Sequence, residues 1–213
     1  MPNPDKTSYI AAFFTVFEKK VDRLSILRDS FPEEAFTLCL VYIDRLASGR
    51  YGGKDPRNRE NFWRALTELT SISVFGLLHP DCLIEEAERH TPSAVPTLRA
   101  LVANDPTALL TEQQVSDAIR GSDVEMEDRK KVLENLWRAS VANITYDCIR
   151  NPAIHGPGAG GLSFSETTHN GKKGLVLDFD IFYDGLRQVS SGVKALSVAT
   201  GEWFGNSAFS VRR

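Results

Sequence analysis

In the stretch "CIRNPAIHGPGAGG", residues 148–161, Arg150 and Asn151 stand side by side and His155 follows just ahead of a run of glycines. These residue types suit chemistry at phosphorus. A histidine titrates near neutrality and can move protons at an attacking or leaving oxygen. A guanidinium grips a phosphate bidentately and offsets negative charge built up in a transition state. The Asn151 amide can orient either partner or hydrogen-bond the phosphate. A buried structural arginine and a histidine at the negative end of a helix dipole account for the same residues, and local physics leaves both readings open.

Two other chemistries compete for the neighbouring residues. "GPGAGG" satisfies G-x-G-x-x-G through Gly156, Gly158 and Gly161, with Asp178 at about the distance of a ribose-binding acid. That fingerprint needs a strand leading in and a helix leaving, whereas here a helix pattern leads in and a strand pattern leaves. Asp178, Asp180 and Asp184 in "DFDIFYD" are spaced so that a hard cation is conceivable, but strand-end solvation and helix capping explain them without one. Neither H-E-x-x-H nor C-x-x-C occurs, so no metal site is expected. The sequon Asn143-Ile144-Thr145 falls inside a helical pattern and is discounted.

The elements that must hold Arg150 and His155 are helical. Ile10, Phe13, Phe14, Phe17, Val21, Leu24 and Leu27 recur every three or four residues and predict a helix over 7–28. Ser30, Pro32 and Glu33 mark a second start with capping-box spacing, and that helix carries Ala35, Leu38, Tyr42 and Leu46 until Gly52-Gly53 ends it. A third helix is predicted over 57–69, with Phe62, Leu66 and Leu69 on one face. Residues 78–123 break into short pieces around four X-Pro pairs and are expected to form an irregular insertion. Leu133, Leu136, Trp137, Val141, Ile144 and Ile149 then predict one uninterrupted helix over about 127–150, ending at the Arg-Asn pair. A period near two with Asn170-Gly171 at its turn predicts a β-hairpin over 161–179, and a C-terminal helix over 180–200 comes next with Asp180 as its cap. The expected fold is a single all-α domain over 1–213, an up-down helical bundle with an appended β-hairpin.

Composition narrows the partners. With 25 basic and 28 acidic residues the net charge is -3, so any polyanion would need a local positive patch. Lys54, Arg57, Arg59 and Arg64 in "GGKDPRNRENFWR" offer one, diluted by Asp55 and Glu60. Cys39, Cys82 and Cys148 are odd in number and widely spaced, which suits reduced thiols. The opening "MPNPDKTSYIAAFFTVFEKK" reads neither as a signal peptide nor as a membrane span, so a cytoplasmic protein without membrane association is expected.

With these residues in place, the chain resembles the HEPN superfamily, helical domains of many ribonucleases, toxins and defence proteins. "RNPAIH" is similar to its signature of an Arg, a polar residue directly after it, and a His four to six residues from the Arg at the end of a late bundle helix. "YIDRLASGRYGG" on the second helix resembles a sequence common in small stand-alone members. The likeness covers about residues 7–155, without a counterpart for 78–123. It implies a metal-independent, cofactor-free endoribonuclease cleaving RNA by attack of the 2′-hydroxyl, acting as a toxin or phage-defence factor. Arg150, Asn151 and His155 would be catalytic and Lys54, Arg57, Arg59 and Arg64 would bind RNA. Asp44, an acid on a largely apolar helix, would support Arg150. Because one chain supplies one such histidine, a homodimer with a composite site is expected. An antitoxin or other neutralising protein would complete such a system. The alternative within the same fold is a catalytically inactive HEPN-like module that binds nucleotide or protein.

Overall fold

The structure is a computed structural model that describes residues 4–52, 58–150, 168–169, 172–173 and 179–202. Almost all described elements are helical, in keeping with the expected all-α class. Packing divides the chain into two compact units: one holds residues 1–72, 146–164 and 176–213, the other residues 73–145 and 165–175.

The first unit begins with α1 (Pro4–Ser30) and α2 (Pro32–Tyr51), joined through Phe31 alone. The chain doubles back there, bringing Phe17 within 5.4 Å of the Tyr42 ring. Pro32 occupies the first helical position as expected, but no Ser30 capping box forms. The cap residue is Phe31, without a side-chain cap bond, and Glu33 and Glu34 supply first-turn negative charge instead. At the other end, a Cβ on Gly52 would lie 2.1 Å from the Ser48 carbonyl oxygen, so only glycine fits where the helix stops.

α3 (Asn58–Glu68) and α9 (Phe179–Thr200) complete this unit, both packing on α2 while α9 also packs on α1. The shared core is Phe14, Leu40, Ile43, Leu66 and Phe182, all fully buried, with Phe36 meeting Phe182 edge-on at 5.3 Å. Two ion pairs fasten α1 to α9, Arg28 with Asp180 and Glu18 with Lys194 (2.7 Å), and their order shows that the helices run antiparallel. Asp180 is therefore not the cap expected of it. α9 starts at Phe179, and the Asp180 carboxylate in its first turn is held by Arg28.

The second unit is built from α4 (Pro80–His90), α5 (Val95–Val102), α6 (Glu112–Arg120), α7 (Met126–Asn135) and α8 (Val141–Thr145). Residues 78–123, expected to be irregular, are thus largely helical. They share a core with Val132, Leu136 and Ala139, in which Leu78, Leu98, Val115 and Ile119 are fully buried. Three of their four prolines open helical turns rather than breaking them: Pro80 and Pro96 sit in the first turns of α4 and α5, and Pro92 starts a 3-10 turn. Thr111 and Gln114, at the T-x-x-Q spacing of a capping box, form one on α6 that the reading of the sequence passed over. The Arg129 guanidinium donates to the carbonyls of Arg120, Ser122 and Val124, closing the α6–α7 connection.

The single helix expected over 127–150 is the main correction. It breaks into α7, a 3-10 turn (Leu136–Ala139), an extended Ser140, α8 and a π-helical turn (Tyr146–Arg150). Neither Gly nor Pro causes the break. Tertiary hydrogen bonds replace helical ones, His79 N–H donating to the Ala139 carbonyl at 2.8 Å and Val141 N–H to the Leu77 carbonyl at 2.9 Å. Ser140 Oγ then accepts from the Asn143 N–H and starts α8 as its cap.

Of the hairpin expected over 161–179, the described residues contain two rungs, β1 (Thr168–His169) antiparallel to β2 (Lys172–Lys173) with His169 opposite Lys172. A sheet-forming hairpin is not seen among them, and its remaining residues lie outside the described set.

Candidate functional site

The Arg-Asn-His pattern begins on the π-helical turn Tyr146–Arg150 of the first unit, which packs against both α2 and α3. One extra residue in such a turn offsets the chain beyond it, and π turns recur where a helix must re-aim a side chain. Two contacts to α3 fix it. The buried Tyr146 ring meets Phe62 edge-on at 5.4 Å, and Asp147 Oδ1 lies 2.7 Å from Arg59 Nη2. Arg150 ends the turn, while Asn151 and His155 lie outside the described residues, as do Lys54 and Arg57.

Asp44, expected to support Arg150, is 7 % exposed on α2. That burial is the cost a carboxylate meets only where its surroundings repay it. Asn61 on α3 is buried as well, and its Nδ2 has no hydrogen-bond partner. α2 and α3 thus each bury a polar side chain, and both pack on the turn that ends at Arg150.

The two described members of the basic patch are engaged. Arg59 is paired with Asp147. Arg64 chelates Glu68 through Nε at 2.8 Å and Nη2 at 3.4 Å, and its guanidinium lies over the Tyr51 ring at 4.2 Å. Tyr51 completes the triad by donating its hydroxyl to Glu68 at 2.9 Å. Burial, then the bond and charge of Glu68, push the Tyr51 phenol up to about 12. The Glu68 bond raises the Arg64 guanidinium further. For Glu68, burial pulls upward, but bonds from Arg64 and Tyr51 outweigh it and leave the carboxyl below its ordinary value.

No protein-family model matches the chain, and no curated protein or solved structure compared with it does so.

Sequence reasoning missed the partners that organise this region: Asp147 for Arg59, Phe62 for Tyr146, Glu68 for Arg64 and Tyr51. Only the i,i+4 spacing of Arg64 and Glu68 was there to be read. Among the described residues no group of three or more His, Cys, Asp or Glu side chains is placed to hold a metal ion. Asp180 is taken by Arg28, and Asp178 lies outside the described set. Asn143 of the sequon is 3 % exposed and donates its Nδ2 to the Arg138 carbonyl, so it offers no acceptor for a glycan. No helix among the described residues is long and apolar enough to cross a membrane.

Proposed function

We propose that the protein is a metal-independent endoribonuclease of HEPN type, with Arg150, Asn151 and His155 at its reacting centre. The observation that supports this reading most is the anchored π-helical turn. Tyr146 and Asp147 are fastened to α3, so the backbone that presents Arg150 and runs on toward His155 starts from a fixed point beside the buried Asp44 helix. Pre-organisation of that kind is what a phosphate ligand in a transition state requires.

In the proposed reaction a base removes the proton of the ribose 2′-hydroxyl, whose oxygen attacks the adjacent phosphorus. The bond to the 5′-oxygen breaks, an acid protonates that oxygen, and the products are a 2′,3′-cyclic phosphate and a 5′-hydroxyl. His155 moves one proton, and His155 of a second chain in a homodimer moves the other. Arg150 binds the phosphate oxygens and offsets the charge that grows on them, Asn151 orients them, and Asp44 holds Arg150. DNA lacks the attacking hydroxyl and is not cleaved. The same reading makes the protein a cytoplasmic toxin or defence factor held in check by a neutralising protein.

A second reading, an inactive HEPN-like module that binds nucleotide or protein, draws on the self-paired Arg59 and Arg64 and on the net charge of -3. Incubation of the full chain and its His155→Ala variant with mixed RNA in excess chelator separates the two. The expected result is cyclic-phosphate ends from the wild type and a loss of about 100-fold or more in the variant, the contribution of one general acid or base. Absence of cleavage by the dimer sinks the nuclease reading, and equal cleavage by both proteins convicts a contaminant. Growth arrest on expression, relieved by His155→Ala, marks a toxin.

A further inference from the structure

α1 buries one row of side chains and presents a second beside it. Ile10, Phe14, Phe17, Val21 and Leu24 lie in the core, and the residue before each of them, Tyr9, Phe13, Val16, Lys20 and Arg23, falls about 100° round the helix. With Lys6 added, this second row steps by three and four residues in alternation, the a/d spacing of a helix that packs along another helix. From Lys6 to Arg23 it covers about 25 Å of the axis. Tyr9 is 69 % exposed and Val16 58 %, and Phe13, half-buried, stacks on Phe17 at 5.9 Å. The row lies open to solvent along its length.

Charge on α1 is sorted in the same way. Its described acids, Glu18, Asp22 and Asp29, recur at helical spacing on a different edge, the one that meets α9, where Glu18 binds Lys194. The open row carries cations only: Lys6 at one end, Lys20 and Arg23 at the other, with none of the three in an ion pair among the described residues. Its centre, Tyr9, Phe13 and Val16, is apolar or aromatic. Single exposed apolar residues are common on any surface, but three consecutive members of one row, framed by unpaired cations, form a seam.

We infer that this row is a docking seam for an acidic amphipathic helix of another protein. Apolar side chains of that helix cover Tyr9, Phe13 and Val16, and its carboxylates meet Lys6 at one end and Lys20 and Arg23 at the other. A second copy of this chain does not match the seam. Antiparallel pairing of two such rows sets Lys6 of one copy against Arg23 of the other, and parallel pairing sets Lys20 against Lys20, so like charges meet either way. A bilayer surface needs a continuous apolar face, and that of α1 is already in the core. Single-stranded RNA is held in a basic groove lined by several aromatic platforms, whereas this row is the outer ridge of a helix with one freely exposed ring, Tyr9. The seam does not depend on the RNA-cleavage reading.

Fluorescence anisotropy with the full chain tests the assignment. Two labelled three-heptad peptides on an alanine-rich background carry Glu, Leu, Leu, Leu, Glu, Glu along their a/d rows, one in that order for a parallel fit and one reversed for an antiparallel fit. Control twins carry Lys at each Glu. One of the two acidic peptides is expected to bind saturably in the micromolar range and to weaken as salt rises, while its Lys twin does not bind. Lys20→Glu with Arg23→Glu, and separately Tyr9→Ser with Val16→Ser, each weaken that binding about tenfold or more; all four positions are exposed, so both double variants melt as the wild type does. Failure of both acidic peptides to bind overturns the inference, as do equal binding of the Lys twins or unchanged affinity in either double variant. Tighter binding of oligouridine or phosphatidylserine vesicles through the same residues overturns it too, as does dimerisation of the chain that Tyr9→Ser with Val16→Ser abolishes.

Discussion

Tyr51, Arg64 and Glu68 show how one partly exposed contact sets several protonation states together. The Tyr51 phenol is raised to about 12, so from its ordinary value near 10 up to about 12 the unfolded chain releases a proton that the folded chain keeps. The tyrosine's contribution to stability is therefore intact at lower pH and lost as pH climbs through that window. Glu68 behaves in the opposite sense: its lowered value makes its contribution present above the ordinary carboxylate range and lost as pH falls through the folded value. Difference absorbance titration of wild type against Tyr51→Phe should show the Tyr51 step near 12, moving down in Glu68→Gln; a step near 10 in the wild type contradicts the triad. The three thiols give a second check. Cys148 is exposed, Cys82 partly so, and Cys39 is buried with its thiol pushed up by that burial. A thiol reagent should modify Cys148 first and Cys39 only on unfolding.

At the scale of elements, helix starts and stops depend on a few hydrogen bonds. Thr111→Ala removes the α6 capping box and should lower stability by about 1 kcal/mol, measured by chemical denaturation. Arg129→Met keeps the stem of the side chain but strips donors from three carbonyls, and a loss of about 2–3 kcal/mol is expected. Ser140→Ala deletes the cap of α8 at the point where the expected long helix breaks. It should cost about 1 kcal/mol without joining α7 to α8, because the bonds from Val141 to Leu77 and from His79 to Ala139 still hold the break open. Circular dichroism showing a gain of helix in this variant would contradict that account.

For the molecule as a whole, two separate cores replace the one expected over 1–213. Leu98 anchors the core of residues 73–145, and Phe182 anchors the core of α1, α2, α3 and α9. Truncating either to alanine should cost about 2–5 kcal/mol. Hydrogen exchange is expected to rise first within α4–α7 for Leu98→Ala and first within α1, α2 and α9 for Phe182→Ala, each core being lost with the helices that build it.

Periodicity in the sequence was enough for α1, α2, α3 and α9, because an apolar stripe at helical spacing must be buried whatever covers it, and Pro32 and Gly52 punctuate the chain by local sterics. An acid on a largely apolar helix also drew notice to Asp44, which the fold buries. Asp147 gave no such sign, and neither the stripe that holds Phe62 nor the spacing of Arg64 and Glu68 told that they would meet Tyr146 and Tyr51, because a contact between elements depends on which faces meet. Tertiary structure alone decided that 127–150 is four pieces rather than one helix, through backbone bonds to residues 77–79 that lie about sixty positions away. It alone gathered the proline-rich stretch into helices around a second core, and it alone left Tyr9 and Val16 of α1 open while burying Ile10 and Phe17. The physical reason is common to all three: hydrogen bonds and burial between distant segments outweigh local propensities of a few tenths of a kcal/mol per residue, and no window of sequence contains both partners.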